Sequence, residues 1–531
     1  MSTLTISLYH TDSYMDHQLS YGLGLITVGA LLCSLVLFHA LGAKDPRVKL
    51  PPGPWNLPVI GSLHHLVGTL PHRALLRLSR RYGQLMLLRL GEVPTLVVST
   101  PEAAMEVLKT KDLVFATRPS APTRDLVSCG GKALVFAPYG EHWRQMRKVC
   151  IVEVLSARQV RRMDTIKQDE IAHLVDSIFG ASSTSPAATI NLSREMAKLT
   201  NNTIARAVLG GKCQQQEKYL HELDRMMVLV GGFSLVDLFP TSRLVRWLSG
   251  AARDLRRSHA RVQQILGDII VGRKEMKESA SASAGTQDNE DLLDVLLRLQ
   301  KEDTLRFPLT SDIIGAVIFD IFAAATDTTA ATLEWAMAEL IRNPEVMTRA
   351  KHQVRQISLA PGLSTITSAD LGNLHYLRMV IKETLRLHPP AAVMRRAARD
   401  RCQVMGYSIP KDIPVMINLF AVGRDPRHWG EDAAEFRPER FERSDAVKVE
   451  YSPGPQMEFI PFGFGRRQCP GALMATTTIE LVLANLLYQF DWAIPGGASP
   501  ETLDMGEVFG LTVHRSSNLC LQAVTRRPQL H

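Results

Sequence analysis

A cysteine near the end of the chain lies among residues that suit a metal-bound thiolate. Residues 462–471 read Phe-Gly-Phe-Gly-Arg-Arg-Gln-Cys-Pro-Gly, and the glycines on both sides of Cys469 let the backbone turn tightly around its sulfur. Such a turn shields a thiolate from solvent and directs backbone N–H groups at it. The stretch from Ala472 to Gln489 predicts a helix directly afterwards, whose N-terminal dipole favours negative charge. A buried free cysteine in a glycine-rich turn is the alternative.

The same segment resembles the haem-binding signature of the cytochrome P450 monooxygenases, F-x-x-G-x-R-x-C-x-G. All five fixed positions are matched, by Phe462, Gly465, Arg467, Cys469 and Gly471. The resemblance implies that Cys469 is the axial thiolate ligand of a haem b iron, with O2 as a co-substrate. It also implies that Arg467 contacts a haem propionate.

A long helix is predicted upstream of this segment. Thr310-Ser311-Asp312 is typical of a helix start, and Asn343-Pro344 is a helix stop. The helix between them, 311–342, would span roughly 48 Å, enough to cross a domain. Its centre contains a polar group, Thr326 to Thr329, where mid-helix hydroxyls are costly unless they have a partner. Read without the family, this group indicates a helix kink or a packed polar contact.

The resemblance gives that polar group a catalytic role. In the family's A/G-G-x-D/E-T-T motif, the first threonine donates a hydrogen bond to the dioxygen and the acid relays protons for O–O cleavage. These roles fall on Thr328 and Asp327. The chain departs from the motif at Ala325, where the family usually has glycine, and the extra methyl group bears on the geometry of the oxygen pocket.

Two motifs resemble the two parts of a buried ion-pair cluster. Glu383-Thr-Leu-Arg386 lies in a predicted helix, 374–387, where the i, i+3 spacing puts carboxylate and guanidinium on one face. Pro438-Glu-Arg440-Phe441 resembles the second half. The resemblance implies a buried triad of Glu383, Arg386 and Arg440 with a structural role, because each charge satisfies the others.

Three more residues are predicted to bind the haem. Trp143-Arg-Gln-Met-Arg147 matches the family's W-x-x-x-R, in which both side chains point at a propionate from one helix face. An amphipathic surface helix would also explain Arg147. Arg396 is expected at a propionate too, although the segment 391–396 departs from the family pattern, which usually has a proline before this arginine and one more residue.

By resemblance, the substrate pocket includes the segment Ser120 to Val135 and a set of mostly small, apolar side chains. These are Ile321, Ala324, Ala325, Ala391, Met394, Phe509 and Leu511. They favour a bulky hydrophobic substrate. A terpenoid is the first hypothesis, and a phenylpropanoid, an indole derivative or a fatty acid fits as well.

Length and composition agree with a large intracellular domain. The chain has 531 residues, of which 45% are hydrophobic, so it can bury a large core. Its seven cysteines are scattered and lack any C-x-x-C spacing, which indicates a reducing compartment. We expect one catalytic domain, 62–531, with a mainly α fold, small β-sheets and a long central helix over the haem.

The N-terminal region predicts attachment to a membrane. The apolar segment 23–43 is long enough to be a transmembrane anchor, and Lys44, Arg47 and Lys49 follow it. The positive-inside rule then makes 1–22 a lumenal tail and puts the catalytic domain in the cytosol, at the endoplasmic reticulum. Residues 44–61 form a basic, proline-rich hinge. A cleaved signal peptide is the alternative to the anchor.

The chain resembles most the plant microsomal P450s that act on specialised metabolites. The resemblance implies insertion of one oxygen atom from O2 into a hydrophobic small molecule, with electrons from NADPH through a flavoprotein reductase. The net charge of +8 includes a basic group at Lys148, Arg158 and Arg162, which suits an acidic reductase or is merely a solvated face. Membrane lipid is a further expected partner, and nucleic acid is not. A haem-thiolate isomerase or dehydratase and a haem sensor are the alternative functions.

Overall fold

The computed structural model of the protein describes residues 49–185, 188–213, 215–231, 233–279, 290–303, 305–357, 365–442, 451 and 457–526. The predicted lumenal tail, the predicted anchor and the start of the predicted hinge lie outside these residues. Within them, one helix, Ser311–Arg342, is long and apolar enough to cross a membrane. Most of that helix is buried inside the protein, which accounts for its composition.

The described part of the chain is mainly helical, as the sequence predicts. Its helices are α1 (Pro71–Tyr82), α2 (Pro101–Met105), α3 (Pro122–Val127), α4 (Glu141–Cys150), α5 (Ala157–Arg162), α6 (Asp164–Thr184), α7 (Leu192–Leu209), α8 (Gln216–Leu229), α9 (Leu235–Leu238), α10 (Arg243–Leu248), α11 (Gly250–Ser279), α12 (Leu292–Glu302), α13 (Ser311–Arg342), α14 (Pro344–Arg355), α15 (His375–Leu387), α16 (Leu419–Val422), α17 (Pro426–Trp429) and α18 (Ala472–Gln489).

The strands form small sheets at the edges of the helical body. They are β1 (Leu85–Leu90), β2 (Val93–Val98), β3 (Thr189–Asn191), β4 (Val393–Ala397), β5 (Cys402–Val404), β6 (Tyr407–Ile409), β7 (Pro414–Asn418), β8 (Phe490–Ala493), β9 (Glu507–Phe509), β10 (Val513–Arg515) and β11 (Cys520–Thr525). One sheet has the order β1-β2-β7-β4, another β3-β11-β8, and β5–β6 and β9–β10 are hairpins. The predicted mainly α fold with small β-sheets is confirmed.

The central helix α13 covers the residues that its start and stop signals predict. The Thr310 hydroxyl accepts a hydrogen bond from the backbone N–H of Ile313 at 3.3 Å, and the helix ends before Asn343. Its first half packs in a hydrophobic core with α4, α7, α8, α11 and α12. Its second half packs in another core with α6, α14, α15 and α18. Because α13 belongs to both cores, its middle is held in a fixed position between them.

The proline-rich segment packs against the sheets from its first described residue onward. The backbone N–H of Leu87 donates to the Pro52 carbonyl at 2.8 Å, and that of Ser408 donates to the Lys49 carbonyl at 2.8 Å. A Cβ atom at Gly53 would lie 2.0 Å from the Leu87 carbonyl oxygen, so glycine allows this close approach. The described part of the proline-rich segment is therefore attached to the sheets.

Candidate active site

The loop that carries Cys469 is held by its own backbone. The N–H of Cys469 donates to the Phe462 carbonyl at 2.9 Å, and α18 begins three residues later with Gly471 as its N-cap. Gly465 has a φ of +68°, and a Cβ atom there would lie 2.5 Å from a carboxylate oxygen of Asp112. Glycine is thus required both for the turn and for the close contact.

The Cys469 side chain opens onto internal space. Burial raises the pKa of its thiol, against the effects of the Gly471 N–H and the charge of Arg147. The residue nevertheless keeps a large accessible surface. The thiol is therefore accessible although protein atoms surround it. The predicted backbone N–H is present, and the Arg147 cation adds to it, but burial has the larger effect on the pKa of the metal-free thiol.

The centre of α13 also opens onto internal space. Residues on both sides of it are buried, whereas Ala324 is exposed and Ala325 and Thr328 are half-buried. Ala325 packs at the edge of the core that contains α8 and α11. Its methyl group, at the position where the P450 motif has glycine, is therefore part of the wall.

Thr328 and Asp327 have different environments. The Thr328 hydroxyl donates to the Ala324 carbonyl at 2.7 Å, so it must leave that carbonyl before it can donate to a ligand. Asp327 is buried, and one of its oxygens lies 3.0 Å from Nε2 of His514. The other oxygen, Oδ2, is buried and has no hydrogen-bond partner within the described residues.

Four arginines converge beside the cysteine loop: Arg118, Arg147, Arg396 and Arg467. Burial, followed by the charges of Arg118 and Arg147, lowers the pKa of Arg467 to about 8. Burial and the charges of Arg118 and Arg467 lower the pKa of Arg396 well below its usual range. In the described ranges, these four side chains form no ion pair with a carboxylate, and Nη2 of Arg396 is buried without a partner. A buried cluster of this charge needs an anionic partner.

Trp143 supports the arginines with its ring. Its indole N–H donates to the Leu134 carbonyl at 3.2 Å, so that N–H is already engaged within the protein. The ring lies 4.1 Å from the guanidinium carbon of Arg467 and 5.4 Å from that of Arg147. Arg147 itself donates to the Gln468 carbonyl at 2.7 Å. Trp143 therefore holds two cations by cation–π contact.

These residues fit a haem. Cys469 offers a soft sulfur ligand to the internal cavity, and the four arginines supply the positive charge that two propionates would neutralise. The apolar and small side chains at the centre of α13 leave open space on their side of the cavity.

Glu383, Arg386 and Arg440 meet in the interior, where their charges are compensated. The Glu383 carboxylate accepts from Nε of Arg386 at 2.6 Å, from Nη2 at 2.7 Å and from Nε of Arg440 at 2.8 Å. It also accepts from the backbone N–H of Arg437 at 2.8 Å. The remaining arginine N–H groups donate to carbonyls, such as that of Gly423 at 2.6 Å, and Nη1 of Arg440 also donates to the Asp432 carboxylate at 3.4 Å. The cluster therefore ties α15 to the segment that follows α16.

The predicted pocket residues outside α13 lie at the start of β4 and at the end of β9 with the loop that follows it. Ile321 is buried, and Ala391, Met394, Phe509 and Leu511 are half-buried. The backbone N–H of Leu511 donates to the Met227 carbonyl at 2.8 Å, which joins this segment to the end of α8.

The segment 120–135 is attached to α13 by an acid that sequence reasoning missed. The Asp320 carboxylate accepts from the backbone N–H groups of Leu134 and Val135 at 2.7 and 2.6 Å. Burial raises the pKa of Asp320 to about 6. A single acid within the apolar run 313–323 was a usable signal, because a buried carboxylate needs partners.

Arg118 is the second residue that was missed. It lies on a loop, donates to the carbonyls of Val135 and Arg395, and belongs to the arginine cluster. Burial and the charge of Arg124 lower its pKa to about 10. A single arginine in a loop produces no periodic pattern, so the sequence offers no local signal for its burial.

Comparison with known proteins agrees with this site. The family model of cytochrome P450 matches residues 51–520. The chain belongs to the cytochrome P450 family. This P450 is 45% identical over 495 residues to desmethyl-deoxy-podophyllotoxin synthase of Sinopodophyllum hexandrum, covering 92% of the present chain and 95% of the relative.

Two further relatives have names that state the reaction. Dolabradiene monooxygenase of Zea mays is 43% identical over 505 residues, which are 94% of this P450 and 97% of the relative. Premnaspirodiene oxygenase of Hyoscyamus muticus is 42% identical over 506 residues, or 95% and 98%. This P450 is therefore an enzyme, a plant-type monooxygenase of a family that uses a haem-thiolate and O2.

Proposed function

We propose that this P450 is a membrane-anchored haem b monooxygenase that inserts one oxygen atom from O2 into a hydrophobic plant metabolite, with electrons from NADPH. The observations that carry the proposal are the accessible thiol of Cys469 and the accessible residues Ala324, Ala325 and Thr328 at the centre of the otherwise buried helix α13. The arginine cluster beside it supports a cofactor with two carboxylates. A sensor would not need the proton-bearing residues at the centre of α13.

In this proposal different side chains bind the haem, deliver protons and bind the substrate. Cys469 would hold the iron, and Arg118, Arg147, Arg396 and Arg467 would hold the propionates. The bound haem would supply activation of O2. Thr328 holds a hydroxyl proton at the cavity, and the Asp327 carboxylate behind it has a free oxygen that can accept a proton. The surrounding apolar side chains orient the substrate and exclude water.

A terpenoid is the proposed substrate class, with a phenylpropanoid, an indole derivative or a fatty acid as alternatives. The half-buried pocket residues are small or apolar, which favours a rigid hydrophobic skeleton. Relatives named for oxygenation of dolabradiene and premnaspirodiene support this choice. Substrate-induced change in the haem spin state, measured across a panel of these classes, tests it.

Replacing Thr328 by alanine is expected to uncouple the reaction. Haem and substrate should still bind, but NADPH should be consumed with release of peroxide, because the hydroxyl that steers proton delivery is gone. We expect product per NADPH to fall about tenfold or more. The measurement is NADPH oxidation, peroxide and product in the enzyme reconstituted with reductase.

The matched control is Thr332→Ala, one turn further along α13. The Thr332 hydroxyl donates to the Thr328 carbonyl at 2.8 Å, and Thr332 is buried. The control substitution therefore deletes the same kind of atoms as Thr328→Ala, but at a buried position. This variant should remain coupled. Full coupling in Thr328→Ala would exclude Thr328 from the mechanism.

A second membrane contact, in addition to the anchor, would accompany the location at the endoplasmic reticulum. Leu235, Leu244, Trp247 and Leu248 are exposed on α9 and α10, and Trp55 and Val59 are exposed on the proline-rich segment. Leu238, in contrast, is buried against the β1–β2 sheet. The apolar residues of α9 and α10, which flank Pro240, thus contribute partly to the interior and partly to a surface suited to lipid headgroups.

An acidic reductase domain is the proposed electron donor, docking on the basic group at Lys148, Arg158 and Arg162. These side chains are exposed on α4 and α5, and α4 also carries Arg147. Reversing all three to glutamate should slow reductase-driven turnover and flatten its dependence on ionic strength, because salt screens such attraction over about 10 Å at 0.1 M.

Peroxide-driven turnover of the same variant should stay near wild type, since it needs no partner. Reversal of Lys218, Arg256 and Lys301, which are exposed on α8, α11 and α12, gives the same change of net charge as a control. Equal losses in both triple variants would contradict docking on α4 and α5.

A further inference from the structure

Asp327 has a partner on a distant strand. Nε2 of His514, on β10, lies 3.0 Å from one oxygen of Asp327. The strand is held against α13 at two more points: the indole N–H of Trp335 donates to the Val513 carbonyl at 3.2 Å, and the Arg515 guanidinium lies 3.6 Å from Glu334. The position of His514 beside Asp327 is therefore determined by the packing of β10 on α13.

The groups that face His514 come from every neighbouring element. Asp327 and Glu334 lie on α13, Asp224 lies on α8, and Arg515 follows on its own strand. Burial lowers the pKa of His514, but the charge and hydrogen bond of Asp327, with Glu334 and Asp224, outweigh it and raise the pKa to about 9. His514 is therefore protonated at neutral pH.

The same groups extend from Asp327 towards the surface. The Asp327 side chain is 4% exposed, whereas that of His514 is 31% exposed. His221 is exposed on α8, and its neighbour Asp224 is accessible although protein atoms surround its carboxyl group. Burial and the charge of Asp327 raise the pKa of Asp224 to about 6, so this carboxyl group exchanges protons readily near neutral pH.

We propose that His514 passes protons from the exposed side of α8 to Asp327 as a positioning residue of the monooxygenase reaction. The proposal rests on the proton-relay role proposed for Asp327. In the step, Nε2–H of the imidazolium gives its proton to the Asp327 carboxylate, which leaves a neutral imidazole and a carboxylic acid. The imidazole, which has kept its Nδ1–H, then regains a proton at Nε2 from water or from Asp224 once Asp327 has passed its own proton on. No bond other than these N–H and O–H bonds changes.

Imidazole suits this task because Nε2 can release and regain a proton near neutral pH while Nδ1 keeps its own. NADPH-driven monooxygenation takes up one proton net from solvent for each product, whereas peroxide-driven monooxygenation takes up none. A proton path is therefore needed in the first reaction and not in the second.

The test compares His514→Gln, which removes the charge, with His514→Arg, which keeps the charge but does not release a proton. Both variants should lose about tenfold in NADPH-driven product formation and stay near wild type with peroxide. The wild-type rate of NADPH-driven product formation should fall as pH rises through about 9. The rate of His514→Gln should show no such fall. His259→Gln, at a half-buried histidine of α11, is the control and should resemble wild type in both reactions.

A measurement without turnover tests the ion pair itself. In the ferrous, carbon-monoxide-bound enzyme with isotope-labelled histidine, one imidazole should titrate near pH 9. Its signal should be absent in His514→Gln, and its midpoint should move down in Asp327→Asn. Absence of such a titration would overturn the His514–Asp327 ion pair. Recovery of NADPH-driven turnover in His514→Arg would overturn the proton relay. Failure of the proposed function would instead leave wild-type enzyme without product in either reaction.

Discussion

Replacing Cys469 by serine is expected to abolish the reduced, carbon-monoxide-bound absorption typical of thiolate ligation, together with monooxygenase turnover. A hydroxyl group is a poor electron donor compared with a thiolate, so the iron would lose the ligand that gives the spectrum and the reactivity. The protein should still fold, because the loop is held through the backbone N–H of Cys469 and through glycines. Absorption spectra of the purified variant, before and after reduction, provide the measurement.

A matched control is Cys402→Ser, at a half-buried cysteine on β5. It makes the same replacement of sulfur by oxygen in the β5–β6 hairpin and should leave the thiolate spectrum unchanged. If Cys469→Ser kept that spectrum, another cysteine would have to be the ligand.

The second large effect is expected at Glu383, where glutamine should destabilise the fold. The substitution leaves Arg386 and Arg440 without the carboxylate that binds both, and the side chains of Glu383 and Arg386 are completely buried. Removing one partner of a buried ion pair typically costs about 3–5 kcal/mol, because the remaining charge stays buried. Denaturant unfolding of the haem-loaded protein, followed by haem absorbance and by circular dichroism, measures the loss.

Glu480→Gln is the control for this substitution. Glu480 on α18 is also buried, but of its partners the Tyr451 hydroxyl, which donates at 2.8 Å, is uncharged, and Arg378, 3.2 Å away, is partly exposed, so water can solvate the remaining charge. We expect a loss of about 1 kcal/mol. Equal losses at the two glutamates would show that the Glu383 cluster has no special structural role. Loss of activity in Glu383→Gln without loss of stability would contradict a purely structural role.

Local sequence predicted several features of this P450 with accurate limits. The helix α13 has the predicted start and stop, because a capping threonine and a following proline act within one turn of the helix ends. The segment around Cys469 was equally informative, since its glycines, its cysteine and the start of α18 are neighbours along the chain. The family and its mainly α fold follow from such motifs and are confirmed.

Contacts between distant parts of the chain were beyond the sequence. The separation is 186 residues between Asp320 and Leu134, and 277 between Arg118 and the Arg395 carbonyl. No periodicity connects residues so far apart, because their meeting depends on how whole elements pack. The prediction that Trp143 and Arg147 contact a propionate stays a prediction, and in this structure the indole N–H donates to the Leu134 carbonyl.

By itself, the sequence therefore determined the family, the long central helix and the cysteine loop, because each is encoded by residues close together in the chain. Tertiary structure alone decided which charges have partners. Packing of β10 on α13 places His514 beside Asp327, and convergence of four segments brings the arginines together without an ion pair to any carboxylate of the described residues. Burial makes these pairings matter, because removing water raises the energy of every charge that lacks a partner.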